Sequence, residues 1–216
     1  MTSAFKLPRL YPIIDFTCFA SAPDSVLAVV RFAEELLRAG VMLIQYRDKS
    51  GDARRVLSCA RELRRVTRGR AALIINDRAD LVVACDADGV HLGQDDLSPA
   101  AVHCIFDQIK EGKKRIIGFS THNLEQVQEA DSMPIDYIAV GPVFATVSKA
   151  NPDPVIGLAG VRRAREATSK PLVAIGGITR NNCRQVLEAG ADSVAVISDL
   201  LDSPEKAVEA FLRVLG

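Results

Sequence analysis

Short runs of almost continuously apolar residues recur along the chain, and each gives way to glycine or polar residues. Such runs are typical of parallel β-strands covered on both faces, whereas half-exposed strands alternate apolar and polar positions. The pattern predicts eight buried strands. They are LYPIID (10–15), MLIQYR (42–47), ALIIND (72–77), GVHLG (89–93), RIIGFS (115–120), DYIAVGP (136–142), PLVAIGG (171–177) and SVAVIS (193–198).

Segments with the 3.6-residue period of an amphipathic helix lie between these runs. The clearest covers 24–40, where Asp24 can cap the first turn and Gly40 can end the helix. The same reasoning predicts further helices at 181–189, from Ser203 onward and, over shorter spans, at 79–85 and 99–107. Strands and helices therefore alternate along the chain.

Eight strand–helix units in 216 residues leave about 27 residues for each, close to the size of a minimal β–α unit. This spacing predicts an α/β protein, a single (β/α)₈ TIM barrel in which residues 1–216 form one domain. The rival fold is a doubly wound open sheet, whose dinucleotide-binding form carries G-x-G-x-x-G after the first strand. Here IIDFTCFASAPD (13–24) contains no glycine, which favours the barrel.

Charge and cysteine usage narrow the functional class. The 27 basic and 27 acidic side chains cancel, which argues against a nucleic-acid or membrane partner. Arginines in 61–70 have helical spacing and are interpreted as a solvated helix face. The five cysteines form no CxxC pair or zinc pattern, which predicts free thiols in a reducing cytoplasm. No apolar stretch reaches the roughly 18 residues that a membrane span needs.

In a TIM barrel the carboxyl ends of all eight strands meet at one face, where catalytic side chains are found. The residues at the predicted strand ends include cations, hydroxyls, glycines and two separate acidic positions. This chemistry suits phosphorylated ligands and a divalent metal ion. The candidates are Gln45, Arg47, Lys49, Asn76, Asp77, Gln94, Asp95, Asp96, Ser120, His122, Thr146, Ser148, Lys149, Gly176, Gly177, Ile197 and Ser198.

The stretch MLIQYRDK (42–49) carries a buried strand directly into charged residues. Gln45, Arg47 and Lys49 occur at every second position, so they share one side of an extended segment, and Asp48 falls on the other side. The first three are expected to face one ligand.

The acidic candidates could hold Mg²⁺, an ion that often takes one or two protein carboxylates and completes its shell with water and substrate phosphate. Asp77 and one of Asp95 or Asp96 are suitably placed. Alternatively, Asp77 could hydrogen-bond its own loop while the other two favour the helix that begins near Ser98. The residues alone leave both interpretations open.

Two later features fit an anion site. Gly176 and Gly177 would let backbone N–H groups approach a phosphate after the seventh strand, although a tight turn would explain them equally well. The connection 144–156 has the length of a binding loop or lid. A solvated surface loop is the alternative.

The histidines suggest no nucleophile–base pair. His91 lies within a strand and is expected to face the barrel interior or the helices instead of a ligand. His122 lies near the mouth of the barrel, where supporting hydrogen bonds are favoured over acid–base catalysis. Covalent thiol catalysis is also disfavoured, because the cysteines fall mainly in predicted helices.

Seven motifs occur in the order and spacing of one enzyme family. They are QYRDK (45–49), IIND (74–77), GVHLGQDD (89–96), GFSTH (118–122), YIAVGPVFATVSK (137–149), AIGGI (174–178) and GADSVAVIS (190–198). On these motifs the chain resembles the thiamine-phosphate synthase family, also called thiamine-phosphate pyrophosphorylases, over almost its whole length.

The resemblance implies a transferase of thiamine biosynthesis that joins 4-amino-2-methyl-5-hydroxymethylpyrimidine diphosphate to a thiazole phosphate. The products are thiamine phosphate and pyrophosphate, and CO₂ as well when the thiazole is carboxylated, the form expected here. It implies Mg²⁺ as cofactor and a dissociative reaction in which the pyrimidine C–O bond breaks before the thiazole nitrogen attacks. Small-molecule substrates are the expected partners, and a homo-oligomer is compatible with the sequence.

The resemblance also implies roles for individual residues. Asp77 and Asp96 would hold Mg²⁺, which would select Asp96 over Asp95. Arg47, Lys49, Ser120 and Lys149 would be catalytic. The pyrimidine diphosphate would bind Gln45, Tyr46, Arg47, Asp48, Lys49, Asn76, Ser120 and Lys149, and the thiazole phosphate would bind Thr146, Val147, Ser148, Gly177, Ile197 and Ser198.

The chain departs from the family pattern at two positions. Ser148 stands where the family usually has threonine, which keeps the hydroxyl, and Ser193 replaces a glycine at the start of the eighth strand, which concerns packing more than chemistry. Two rival functions remain: a thiazole tautomerase-like isomerase, in which we would expect histidine in place of Pro142, and a non-catalytic protein that binds a thiamine intermediate.

Overall fold

A computed structural model describes residues 6–109, 113–146 and 153–216. Eight parallel strands form a closed barrel, in which each strand pairs with its neighbours in the sequence and the first pairs with the last, Leu10 opposite Val194. The predicted α/β TIM barrel is thereby confirmed. The strands are β1 (Leu10–Asp15), β2 (Leu43–Arg47), β3 (Ala72–Asn76), β4 (Gly89–Leu92), β5 (Ile116–Thr121), β6 (Tyr137–Val140), β7 (Leu172–Ile175) and β8 (Ser193–Val196).

A helix follows each strand and covers the outside of the barrel. The helices are α1 (Ser25–Arg38), α2 (Ala53–Thr67), α3 (Ala79–Ala84), α4 (Pro99–Asp107), α5 (Leu124–Asp131), α6 (Gly157–Ala167), α7 (Cys183–Glu188) and α8 (Pro204–Leu215). Short 3₁₀ helices lie at Phe16–Cys18 and Ser198–Leu200. Asp24 caps α1 as the sequence indicated, accepting a hydrogen bond of 2.9 Å from the Leu27 N–H, and Gly40 follows the helix with a φ of 90°.

Alternate residues of each strand enter two different cores. One side of the strands packs against the helices in the larger core, which includes Ile14, Ile44 and Val90. The other side fills the barrel interior, where Tyr11, Leu43 and Tyr137 lie together. Because side chains alternate along a strand, the interior positions continue directly into the functional face at the carboxyl ends.

A glycine on β5 makes room for an aromatic ring in the interior. A Cβ at Gly118 would lie 2.0 Å from Cζ of Tyr137, so any larger residue would displace that ring. The interior is therefore fitted around Tyr137.

In the described part of the chain, no helix has the length and apolar character needed to cross a membrane.

Candidate active site

A cavity of about 460 Å³ opens at the carboxyl ends of the strands. This volume is within the range of small-molecule sites, which are about 300–1,000 Å³. Most of the residues assigned from the sequence line it together, although their positions in the chain are far apart. They are Gln45, Arg47, Lys49, Asn76, Asp77, Asp96, Ser120, Thr146, Gly177, Ile197 and Ser198.

Strand β2 divides the QYRDK motif between two environments. Gln45, Arg47 and Lys49 line the cavity, as their alternate spacing indicated. Tyr46 is buried in the core between strands and helices, and the Asp48 side chain, 2% exposed, pairs with Arg55 at 3.3 Å. Strand alternation thus directs the side chains of Tyr46 and Asp48 away from this cavity, and the implied contacts of these two residues with the pyrimidine diphosphate stay a prediction.

Asp15, at the end of β1, is a site residue that the sequence interpretation missed. Its buried carboxylate forms an ion pair with the guanidinium of Arg47 and accepts hydrogen bonds from the backbone N–H and the hydroxyl of Thr17, at 3.0 and 2.7 Å. These contacts hold the Arg47 side chain at the cavity. The sequence contained a signal for this role. Asp15 ends the first apolar run, just as Asp77 ends the third, so both lie at the carboxyl end of a predicted strand.

Asp77 and Asp96 come together beside Lys49. The Lys49 Nζ lies 2.5 Å from Oδ2 of Asp77, and the backbone N–H of Gly93 donates to Oδ2 of Asp96 at 2.7 Å. Burial raises the pKa of Asp77; the Asp96 carboxyl within hydrogen-bonding distance raises it further, while Lys49 opposes both effects. Two partly buried carboxylates this close favour a cation between them.

The donor set fits a sparse oxygen site better than a closed metal cage. Nowhere in residues 6–109, 113–146 and 153–216 do three or more His, Cys, Asp or Glu side chains gather as a metal cluster. Mg²⁺ commonly uses one or two carboxylates, with water and phosphate oxygens filling the other positions. Asp95 also lines the cavity, but its neighbour Asp96 is the one paired with Asp77.

Ser120 and His91 meet on the cavity floor. The His91 Nε2 lies 2.8 Å from Oγ of Ser120, and its Nδ1 lies 2.9 Å from the hydroxyl of Tyr137. His91 was expected to face the barrel interior or the helices instead of a ligand; it does face the interior, through Tyr137, and in addition it lines the cavity. It shares the interior side of β4 with Gly89 and Gly93, and that alternation was the signal that could have placed it.

His122 supports the rim of the cavity. Its Nδ1 lies 3.0 Å from the carbonyl oxygen of Gly141 and 3.4 Å from Oδ2 of Asp153. These contacts agree with the supporting role favoured from the sequence.

The end of β7 approaches the segment after β6 through two glycines. Gly176 and Gly177 have φ values of 104° and 61°, a region that residues with a side chain rarely adopt. A Cβ at Gly177 would also lie 2.4 Å from the carbonyl oxygen of Ala145. Both features require glycine beside Thr146. Val147, Ser148 and Lys149 lie outside the described residues.

Comparison with known proteins adds a family to this geometry. The family model described as thiamine monophosphate synthase matches residues 16–200. The chain belongs to the thiamine monophosphate synthase family. The predicted resemblance to these enzymes, and with it a transferase of thiamine biosynthesis, is confirmed.

Individual members of the thiamine monophosphate synthase family match along most of the chain. The thiamine-phosphate synthase of Koribacter versatilis is 54% identical over 215 residues, which cover 100% of this chain and 99% of the relative. That of Shouchella clausii is 42% identical over 174 residues, or 80% of this chain and 81% of the relative. The structure of thiamine phosphate pyrophosphorylase from Pyrococcus furiosus superimposes with a TM-score of 0.79 at 33% identity, covering 96% of this chain and 95% of the other.

Proposed function

We propose that this protein catalyses the thiamine-phosphate synthase reaction in the cavity described above. It would join 4-amino-2-methyl-5-hydroxymethylpyrimidine diphosphate to a thiazole phosphate, forming the bond to the thiazole nitrogen and releasing pyrophosphate. With the carboxylated thiazole, the proposed substrate form, CO₂ leaves as well. The observation that carries this proposal is the convergence of Gln45, Arg47, Lys49, Asp77 and Asp96 on one cavity in a member of this family.

The main chemical task is to stabilise the departing pyrophosphate. In the proposed order the pyrimidine C–O bond breaks first, and the thiazole nitrogen then captures the resulting cation. Arg47 and Lys49 would place positive charge near the leaving group, and Ser120 and Asn76 would offer hydrogen bonds. Interactions of this kind count for more in an enclosed site than in water.

The charges of the cavity wall support a metal cofactor. Its described residues include two cations, Arg47 and Lys49, and four aspartates, among them Asp77 and Asp96. A diphosphate entering such a wall needs more positive charge. We therefore propose that Asp77 and Asp96 hold Mg²⁺, which would neutralise phosphate oxygens, and that Lys149 contributes a further cation.

The remaining residues would hold the second substrate. We propose that Gly177 and the strand-end residues Ile197 and Ser198 surround the thiazole phosphate together with Thr146, Val147 and Ser148. Support comes from the two glycines after β7, since backbone N–H groups free of side chains suit phosphate binding.

Several broader properties belong to the same proposal. Residues 1–216 would act as one catalytic domain on small molecules in the cytoplasm, without a nucleic-acid or membrane partner. The even balance of charge supports this view. Self-association into a homo-oligomer stays a prediction. Analytical ultracentrifugation of the purified protein would measure its oligomeric state.

The direct test supplies the purified protein with Mg²⁺ and both substrates and quantifies thiamine phosphate and pyrophosphate. Both products should appear in equal amounts, and a chelator should suppress them. No thiamine phosphate under these conditions contradicts the proposal. Isomerised thiazole without pyrophosphate would indicate the tautomerase-like alternative, and saturable binding without any product would indicate a binding protein.

A further inference from the structure

A chain of hydrogen bonds runs through the barrel interior beneath the cavity and joins two of its residues. The Nε2 of Gln45 donates to the Tyr11 hydroxyl at 3.0 Å, and that hydroxyl lies 2.9 Å from the hydroxyl of Tyr137. Tyr137 contacts Nδ1 of His91 at 2.9 Å, and Nε2 of His91 contacts Oγ of Ser120 at 2.8 Å. Five strands thus contribute one side chain each, and the two end members of this hydrogen-bond series, Gln45 and Ser120, line the cavity.

The two tyrosines at the centre of this hydrogen-bond series are buried and closely packed. Tyr11 and Tyr137 are at most 1% exposed. The Tyr137 ring stacks on the imidazole of His91, with centroids 5.6 Å apart and planes 17° apart, and occupies the space that Gly118 leaves open. Because an unsatisfied polar group is costly in such surroundings, every proton of the chain should have an acceptor.

The orientation of the Gln45 amide, together with this requirement, sets the direction of the hydrogen bonds. Nε2 of Gln45 faces Tyr11 and donates to it, so the Tyr11 proton goes to the Tyr137 oxygen; the opposite amide orientation would reverse every hydrogen bond of the series. If Tyr137 donated to Tyr11 instead, the Tyr11 proton would have no acceptor among the described residues. Tyr137 must therefore donate to Nδ1 of His91.

The direction of the chain then fixes the protonation of His91. A nitrogen that accepts carries no proton, so Nδ1 is bare and Nε2 carries the proton of a neutral imidazole. A doubly protonated ring would donate to Tyr137, and the proton of either Tyr11 or Tyr137 would then have no acceptor in this series of hydrogen bonds. Burial raises the pKa of Tyr11 and of Tyr137 above that of an ordinary phenol, so both remain O–H donors.

We propose that Tyr11, Tyr137 and His91 are positioning residues that impose one hydrogen-bond direction on the active site, making Ser120 a donor and the Oε1 of Gln45 an acceptor. Ser120 accepts from His91, so its own proton is directed to the ligand. Gln45 gives its N–H to Tyr11, which leaves Oε1 for the ligand. This assignment rests on the proposed function to the extent that it names the groups: an anionic oxygen facing Ser120 and an amino group facing Gln45.

The first test measures the tautomer of His91 without any substrate. In ¹⁵N NMR of the full-length protein, Nδ1 of His91 should have the shift of a bare nitrogen and Nε2 that of a protonated one. The chain has three histidines, so His91→Gln identifies the signal by its loss. A proton on Nδ1, or on both nitrogens, overturns the proposal whether or not the protein makes thiamine phosphate.

The second test uses kinetics to separate the two parts of the hydrogen-bond series, the one that ends at Gln45 and the one that ends at Ser120. Tyr137→Phe removes the donor to Nδ1, so the imidazole should leave its single tautomer and kcat should fall by about tenfold, the scale of one misdirected hydrogen bond. Tyr11→Phe leaves the Tyr137–His91–Ser120 links in place. It should keep the tautomer and most of kcat, and raise KM for the pyrimidine diphosphate about tenfold through Gln45.

A matched control removes a hydroxyl from the other end of the barrel. Thr168→Val deletes the hydrogen bond that Thr168 donates to Asp131 and the one that it accepts from the Lys170 N–H at 3.0 Å, and it should change neither the His91 signals nor kcat. If the two tyrosine variants shift kcat and KM alike, or if Tyr137→Phe leaves the His91 tautomer unchanged, the positioning role is wrong. Should Tyr137→Phe fail to fold, the wild-type spectrum and Tyr11→Phe still decide the matter.

Discussion

Two groups of aspartates, one at each end of the barrel, have opposite surroundings. At the amino ends, one aspartate precedes each of three even-numbered strands, and each accepts a hydrogen bond from a backbone N–H of the preceding strand and pairs with a basic side chain. At the carboxyl ends, Asp77 and Asp96 lie beside each other in a cavity. The same type of residue therefore stabilises the fold at one end, and at the other it leaves negative charge available to a ligand.

The contacts at the amino ends form a repeated pattern. Asp88 accepts from Leu73 at 2.9 Å and from Arg64 at 2.8 Å, Asp136 accepts from Ile117 at 2.9 Å and pairs with Lys114 at 2.8 Å, and Asp192 accepts from Leu172 at 2.8 Å and pairs with Arg165 at 2.9 Å. Each carboxylate ties an odd-numbered strand to the loop before the next strand. Its charge is balanced within the fold.

The pair at the carboxyl ends is not balanced in this way. Lys49 is the cation that contacts Asp77, and the pKa of Asp77 is raised by burial and by Asp96. Asp77 and Asp96 therefore lie at the open face of the barrel, which the loops at the carboxyl ends of the strands form, and share one contacting lysine between two carboxylates.

Removing a carboxylate from the functional end should have the largest effect on turnover. Asp77→Ala should lower kcat at least about tenfold, the minimum expected for loss of one electrostatic contact to the reacting groups. Circular dichroism and thermal unfolding should show that the fold is retained. A wild-type rate in this variant would mean that the metal site has been placed wrongly.

Two lysines extend the comparison to positive charge. Lys49→Ala should also lower kcat at least about tenfold, because Lys49 faces the cavity. Lys113 lies before β5 and contacts Asp86 and Asp88 at 3.0 and 3.1 Å. Lys113→Ala should keep the wild-type kcat. If both lysine variants lost kcat equally, the distinction between a structural amino end and a functional carboxyl end of the barrel would be contradicted.

Removing a carboxylate from the structural end should cost stability in place of activity. Asp136→Ala leaves the Ile117 N–H without its acceptor, so the free energy of unfolding should fall by about 1–3 kcal/mol. Urea denaturation measures this change. At 25 °C the kcat of the remaining folded protein should equal that of the wild type, and a tenfold loss there would show that this end also reaches the reaction.

Substitution of Ser193 should have the smallest effect, and it should increase stability where the Asp136 variant decreases it. Ser193 is fully buried at the start of β8, and its hydroxyl has no hydrogen-bond partner among the residues described. Ser193→Ala should therefore raise the free energy of unfolding by about 1 kcal/mol without changing kcat. A loss of stability in urea denaturation would mean that the hydroxyl is satisfied after all.

Patterns that extend over a few residues predicted much of this protein. The eight apolar runs predicted all eight strands, because burial on both faces leaves a local record in the sequence. Alternation along residues 45–49, which end β2 and continue just beyond it, predicted that Gln45, Arg47 and Lys49 share one side. The same rule, applied to the whole QYRDK motif, would have excluded the side chains of Tyr46 and Asp48 from the cavity.

Contacts between distant strands required the tertiary structure. Tyr11 and Tyr137 are 126 positions apart, and nothing near either residue indicates that their hydroxyls meet. The pairing of Asp15 with Arg47 and the contact of His91 with Ser120 depend equally on how the barrel closes. Side-chain direction along one strand is a local property that the sequence by itself determined. Which directions converge depends on the stagger and closure of eight strands, and only the folded barrel decides that.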